Sequence, residues 1–473
     1  MIDLFTCAIL YLESTFKTYV INLHFHYRKY YKIYPTPKLI KYLLVFGLGL
    51  CNLYGCSSKS LLDKDNPVTL TMWHVYGEQA NSPMNQLIAE FNETEGKDKG
   101  IIINVTKITN ASKIGSELEE SLSKEPGADP MPDLYTGHIH NAKQVGLDKS
   151  VVWNDVFTEK EISNFVDEFL DAGMLEDKLV DLPLSKSTIV LFMNGTQFEK
   201  FSNDTAVSLN DFDTWNQTFD VAEKYYEWSN GKPLLCFDYL LNSIESYAIA
   251  LGTKNMFTEN TEDPAFKEAF RTFLEPLIKG HISASDFYSS TELTTGETLI
   301  GVSSSAAYLY LNDIVTYPDN TTEPLNAIAL PYPKADKDHA LMTQAGVGLC
   351  AYKTTEQKQE AASVFAHWLV EPKRNMDFVT QAGYMPVTKK AFKNLKNEKF
   401  EDEETQSLYN TLTEMKSDYT VISREVPNAI SRKAYAFYDQ VRSHQQEWQA
   451  RANAGEDIDE IVDEAMNILK SLS

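Results

Sequence analysis

Apolar residues along this chain switch repeatedly between two spacings, and the switching predicts an α/β protein. Val68-Thr69-Leu70-Thr71-Met72-Trp73 is a short, β-rich apolar run, whereas residues 81–91 put Met84, Leu87, Ile88 and Phe91 on one helical face. Ile101-Ile102-Ile103-Asn104-Val105 follows as a second strand, so the chain opens β-α-β. The same reading predicts a helix over 114–122, a strand at 132–135 and a buried strand at 189–194. Beyond these come a helix over 213–228, a strand at 298–303 and a long helix over 356–369. The C-terminus reads as two helices, 431–452 and 458–472, divided by Gly455. Such alternation implies largely parallel sheets covered by helices. No internal repeat or low-complexity tract interrupts it.

The 473 residues are more than one hydrophobic core usually organises, so two lobes are expected. No Ser/Gly-rich linker divides them. Two independent domains would normally show one, whereas two lobes built by a chain that crosses back and forth would not.

The N-terminal region has a separate logic. Lys38 and Lys41 supply positive charge, residues 42–51 are apolar, and Leu53-Tyr54-Gly55-Cys56 closes the run. The apolar stretch is far shorter than the roughly 20 residues that span a bilayer as a helix. The arrangement resembles the lipobox of signal peptidase II substrates, with a leucine three residues before the cysteine and a small residue directly before it. Residues 1–55 are therefore expected to be a leader with a lipoprotein signal peptide. Cys56 is the expected lipidation site, and residues 56–66 a flexible tether. Residues 1–37 lie upstream of the positive region, are rich in tyrosine and basic residues, and fit a translation start further downstream.

Charge and cysteine content narrow the class. The formal net charge is −24, and removing residues 1–55, with six Lys/Arg and two Asp/Glu, makes the remainder more acidic still. Such a surface repels phosphates, which argues against a nucleic-acid partner. Cys7 and Cys51 fall in the leader, so besides Cys56 only Cys236 and Cys350 remain, too few for a disulfide scaffold. They are expected to be separate buried thiols. His138 and His140, two apart after a strand, have no further cysteine or histidine at ligand spacing, so no metal is expected. The chain has no Gly-x-Ser-x-Gly elbow, phosphate-binding loop or His-Glu-x-x-His motif, and neither enzyme activity nor a cofactor is expected.

Aromatic and small polar residues instead cluster at strand ends and loops. These clusters are Trp73-His74-Val75-Tyr76-Gly77, Ser185-Lys186-Ser187-Thr188, Ser303-Ser304-Ser305, Gln344-Ala345-Gly346 and Gly383-Tyr384-Met385-Pro386. Sugars present apolar ring faces that stack on aromatics and hydroxyls that need neutral hydrogen-bond partners, so the mixture suits a carbohydrate or polyol.

In their order along the chain these segments resemble the family 1 extracellular solute-binding proteins of ABC importers, from Val68 to Leu472. The pieces that carry the resemblance begin with the Trp73 strand, Pro132-Asp133-Leu134, and the 182–194 segment from Leu182-Pro183 to Met193-Asn194. They continue with Thr214-Trp215, Gly296-Glu297-Thr298-Leu299-Ile300-Gly301, the Ala361-Ala362 to Trp368-Leu369 helix, and Gly383-Tyr384-Met385-Pro386-Val387. The resemblance implies a two-lobed periplasmic-binding-protein-like α/β fold of type II. Lobe 1 is expected from 67–183 plus 331–370 and lobe 2 from 184–330 plus 371–473. Hinge strands are expected near 183–187, 327–333 and 370–373.

The resemblance also implies ligand contacts at Ser187, Ser304 or Ser305, Gly346 and Tyr384, joined by the aromatic Trp73 and Tyr76. An acidic contact common after the Asp133-Leu134 strand is replaced here by His138 or a neighbour, and Cys350 stands where a tryptophan is common. Arg424 falls where glycerol-3-phosphate binders place a phosphate-contacting arginine, for which a guanidinium fork is suited. A neutral oligosaccharide and a phosphorylated polyol both remain open. The partners implied are an ABC permease and, through a lipid on Cys56, the outer face of the cell membrane; a monomer is expected. The rival reading is a secreted glycan hydrolase or lyase using Asp133, Glu245 or Asp286 as acid and base. A sensor partner that binds sugar and signals to a membrane kinase would share the fold.

Overall fold

The computed structural model describes residues 60–76, 82–111, 113–253, 261–284, 288–423 and 428–472. Residues 61–473 form one compact unit. Cys56 and Arg424 lie outside the described residues, as does Asp286. Among the described residues no helix is long and apolar enough to cross a membrane.

The opening β-α-β is present. Strand Val68–His74 pairs in parallel with Ile101–Ile108, and helix Pro83–Glu93 between them buries Met84, Leu87, Ile88 and Phe91. Proline at the start of this helix costs nothing, because the first amide has no intrahelical acceptor. The first sheet has the order Ile101–Ile108, Val68–His74, Leu134–Gly137, Gly348–Ala351, Leu182–Pro183. The second has the order Ile328–Leu330, Ile189–Met193, Ile300–Ser304, Leu235–Phe237, Ile282–Ala284.

Each sheet is mixed, with one strand running against the other four, and the chain path gives the reason. Leu182–Pro183 leaves the first sheet and Gly348–Ala351 returns to it, so the returning strand enters where the other departs and runs antiparallel to it. It is likewise antiparallel to Leu134–Gly137. In the second sheet the entering strand Ile189–Met193 runs antiparallel to Ile300–Ser304 and to the departing Ile328–Leu330. The strands joined through helices, Leu235–Phe237 with Ile282–Ala284 and with Ile300–Ser304, remain parallel.

One continuous core runs behind both sheets. Beside the second sheet Trp215 stacks on Phe219 and Phe237, with ring centroids at 5.4 and 5.7 Å, and meets Phe273 and Tyr332 edge-on. Thr214 caps this helix, accepting from the Gln217 amide while the Gln217 side chain accepts from Thr214. A smaller core on the first sheet gathers Trp73, Ile114, Leu118 and Tyr135. Cys236 and Cys350 are buried and are not joined in a disulfide, one lying in each sheet.

Asp133 ties the first sheet to its covering helix. Its carboxylate accepts from Thr71 N–H and Oγ1 at 2.8 and 3.0 Å and from Lys358 Nζ at 2.8 Å. Lys358 stands on helix Glu356–Leu369, so one buried carboxylate links two strands and a helix. Truncation leaves these donors unpaired. Asp133→Ala is expected to lower the unfolding free energy by about 2–4 kcal/mol in urea titrations; a loss below about 0.5 kcal/mol, the size of an ordinary surface substitution, would contradict this role.

Candidate functional site

Two segments, 184–188 and 331–347, cross between the sheets, and they hydrogen-bond to each other and to a third segment at Met385. Ser187 exchanges backbone hydrogen bonds with Ala345 at 3.0 and 2.9 Å, and Lys186 N–H donates to Met385 O at 3.3 Å while Lys186 O accepts from Met385 N–H at 2.5 Å. Ser185 N–H reaches Val347 O at 3.4 Å. Gly346 lies at φ +106°, and a Cβ there would sit 2.4 Å from Ser185 O, so the crossings can approach this closely only at glycine.

A cavity of about 490 Å³ opens beside these crossings, within the usual size range of small-molecule sites. The first sheet contributes His138 and Asp181, the second Asp238 and Tyr239, and the crossings Lys186, Gln344 and Gly346. Helix Asn428–Asn453 adds Tyr435, whose side chain is 62% exposed, and Tyr438.

Each group is fixed by local structure. His138 follows strand Leu134–Gly137 and opens helix Ile139–Val145, its N–H donating to Asn141 Oδ1 at 2.9 Å. Asp238 directly follows strand Leu235–Phe237 and accepts from the Ser303 hydroxyl and from Ser289 N–H at 2.6 Å. Tyr438 donates its hydroxyl to Phe237 O at 2.6 Å. Gln344 ends strand Leu341–Gln344, which pairs in parallel with Thr420–Ser423.

Burial sets the charge states. It pushes the Asp181 carboxyl up to about 7 and pulls the Lys186 ammonium below its ordinary value, each partner opposing the other's shift. His138 is lowered to about 4, chiefly by burial and further by His140 and Lys186, so it is neutral at pH 7. Burial also raises Asp238.

Of the residues singled out from sequence, His138 and Gly346 line this cavity. Ser187 sits in the adjoining crossing. Trp73 is only 1% exposed and packs in the smaller core, its indole donating to Thr106 Oγ1 at 3.1 Å and the Lys107 ammonium lying 4.6 Å from its ring centroid. Tyr76 is buried, shares a 2.7 Å hydrogen bond with Ser185 Oγ, and meets Phe378 and Tyr384 edge-on. Ser304 accepts from Ala306 N–H, and the fully buried Ser305 donates its N–H to Thr188 O at 2.7 Å. Lys186, Asp181, Asp238, Tyr239 and Tyr435 were not singled out, although Lys186 lies inside the Ser-Lys-Ser-Thr segment. Of the carboxylates considered for acid–base chemistry, Asp133 is committed to Thr71 and Lys358, and Glu245 is buried in helix Leu240–Ala250. Among the described residues no group of three or more His, Cys, Asp and Glu is placed to hold a metal.

Residues 86–405 match the family model of the bacterial extracellular solute-binding proteins. The chain belongs to this family. A search of the curated proteins finds no match. Solved structures align over most of their length. A cyclic α-maltosyl-1,6-maltose binding protein from Arthrobacter globiformis has a TM-score of 0.62 at 14% identity, with 86% of this chain and 99% of that one covered. Maltose-bound MalE3 of T. maritima gives 0.61 at 13%, over 86% and 100%. UgpB from Mycobacterium tuberculosis, in complex with glycerophosphocholine, gives 0.60 at 14%, over 86% and 98%. At these identities the likeness establishes the shared two-lobed fold. As an extracellular solute-binding protein, the chain works outside the cytoplasm, in a family and among neighbours described as binding proteins.

The neutral His138 makes this solute-binding protein sensitive to acid. The unfolded chain takes up a proton near pH 6.5, whereas folded His138 resists protonation until about 4. The stability its neutral form contributes is therefore complete above pH 6.5 and is lost as the pH falls toward 4. His138→Gln is expected to lose about 1–3 kcal/mol less stability than the wild type between about pH 7 and about pH 4.5, by urea unfolding. Equal losses in the two proteins would show that His138 is solvated.

Proposed function

We propose that this protein is the substrate-binding lipoprotein of an ABC importer, capturing a carbohydrate between two lobes and delivering it to a membrane permease. The observation that carries this reading is a cavity fed by both sheets and by the crossings between them. A solute bound there touches both lobes at once, and only a solute that binds the closed arrangement better than the open one shifts the balance toward closure. We assign the lobes along the chain path as expected, except that the helices over 372–395, expected with lobe 2, are assigned to lobe 1, a reading supported by Lys389 Nζ, which reaches Asp167 at 2.7 Å.

The lining favours a neutral solute over a phosphorylated one. Lys186 shares the lining with Asp171, Asp181 and Asp238, so carboxylates outnumber described cations around the cavity. The exposed ring of Tyr435 and the half-buried ring of Tyr239 offer faces to a sugar, and Gln344 offers neutral hydrogen bonding. Ligand contacts are assigned to these residues with His138 and Gly346. Tyr76, Ser187 and Tyr384 act behind them in the hinge, and Arg424, next to the cavity-lining Ser423, remains a candidate contact. A lipid on Cys56 holds the protein at the membrane, with a second acyl chain supplying what one chain alone lacks.

Thermal unfolding against maltose, maltotriose, chitobiose and glycerol 3-phosphate tests the capture. A solute at about 100 times its Kd stabilises the folded protein by about 2.7 kcal/mol, so the melting temperature is expected to rise by a few degrees with a sugar. No shift with any sugar would overturn the carbohydrate reading. Separately, Cys56→Ala is expected to abolish labelling by radioactive palmitate and to release the protein from the membrane fraction; unchanged labelling would remove Cys56 as the anchor.

A further inference from the structure

Among the described residues two polar groups in the cavity wall lack hydrogen-bond partners, and they are complementary in kind. Lys186 is 3% exposed and lines the cavity, yet among the described residues no hydrogen bond or ion pair reaches its ammonium; Asp181 acts on it only through space. An ammonium offers three donors and no acceptor. Its backbone is held on both sides by Met385 and its neighbour Ser187 by Ala345, so the side chain leaves from a fixed point between the lobes.

Gln344 is the acceptor half. The residue is 6% exposed, its Nε2 donates to Ser423 Oγ at 2.7 Å, and its Oε1 has no partner. Ser423 settles which way the amide faces. Its hydroxyl donates to Glu168 O at 3.3 Å, so only its lone pairs remain for Gln344, and the NH₂ group must point at it. The carbonyl oxygen is thereby turned away from Ser423 and left for another donor.

We propose that Lys186 and Gln344 form a subsite that reads adjacent hydroxyls of an uncharged, polyhydroxylated solute. One hydroxyl oxygen accepts from the Lys186 ammonium, and a neighbouring hydroxyl donates to Gln344 Oε1. A hydroxyl both donates and accepts at a single oxygen, so a vicinal pair satisfies both wall groups together. A phosphate would satisfy the ammonium but offer no donor to Gln344, and it would face Asp171, Asp181 and Asp238. Both wall residues stand on crossings, so the solute bonds the segments about which the lobes close. The subsite rests on the carbohydrate-binding reading given above.

The test is calorimetric titration of the full chain with maltose, maltotriose, chitobiose and glycerol 3-phosphate, for the wild type, K186M and Q344L. Loss of a hydrogen bond to a charged donor is expected to weaken sugar binding roughly tenfold to a hundredfold in K186M, and loss of a neutral one roughly threefold to tenfold in Q344L. The melting temperature without solute should be unchanged or raised in K186M, which removes an ammonium that no described hydrogen bond holds; Q344L also gives up the Nε2 bond to Ser423 and is read by its affinity alone. Sugar binding to the wild type with undiminished affinity in both variants overturns the subsite alone, as does a lowered melting temperature in K186M, which would make the ammonium structural. Tighter binding of glycerol 3-phosphate than of every sugar overturns the neutral-hydroxyl assignment. If no sugar binds the wild type, the carbohydrate reading fails and the subsite falls with it.

Discussion

Between the two sheets the chain crosses without a sheet of its own, and the buried amides there must still find acceptors. They find them in each other. Lys186 bonds Met385, Ser187 bonds Ala345, and Ser185 bonds Val347, so crossings far apart in sequence complete one short, irregular ladder. The mixed strand directions follow from the same constraint, since a chain that leaves and re-enters each sheet beside its own exit must run antiparallel there. The position of the cavity follows too, because the crossings are where side chains from both sheets converge.

Close approach of the crossings has two further consequences. Gly346 cannot bear a side chain against Ser185 O, and Gly348 leaves room for Asp181, whose Oδ1 would lie 1.9 Å from a Cβ placed there. Glycine at 348 thus admits a carboxylate to a site that burial makes hostile to charge, which is why Asp181 is pushed up to about 7. Lys186 answers that carboxylate from across the cavity wall without closing an ion pair on it. An ion pair at contact would consume donors of the ammonium and acceptors of the carboxylate; held apart, they leave both for a solute.

How legible the molecule was in its sequence differs from element to element. The helix expected over 356–369 is Glu356–Leu369, and that over 213–228 is Trp215–Trp228, shortened because Thr214 serves as its cap. Periodicity and capping are local, so they can be read locally. Trp73 was read with the ligand-facing aromatics but is buried beside Tyr135 and Ile114, since a strand covered on both faces carries no signal that separates core from site. Tyr239 and Tyr435 are single aromatics on separate helices, and only the fold brings them to one cavity. Lys186 was in plain view within Ser185-Lys186-Ser187-Thr188. A lysine in a polar run reads as solvated, and its burial depends on Met385 and Ala345, some 160–200 residues away.

Charge connects the cavity to the molecule around it. With a net charge of −24, the protein presents a repulsive field to any anion approaching from solution, and the carboxylates of the cavity wall extend that repulsion inward. An anionic solute would need enough local cation to overcome both, whereas Lys186 is the one cation lining the cavity among the described residues, and Asp181 already offsets its field. A neutral solute meets neither barrier. For it the strong interactions are short-range, the unpaired ammonium and amide oxygen and the tyrosine faces, which act only once the solute is between the lobes. Discrimination is then exerted by the groups that the crossings hold in place, so selecting the solute and closing on it depend on the same few residues.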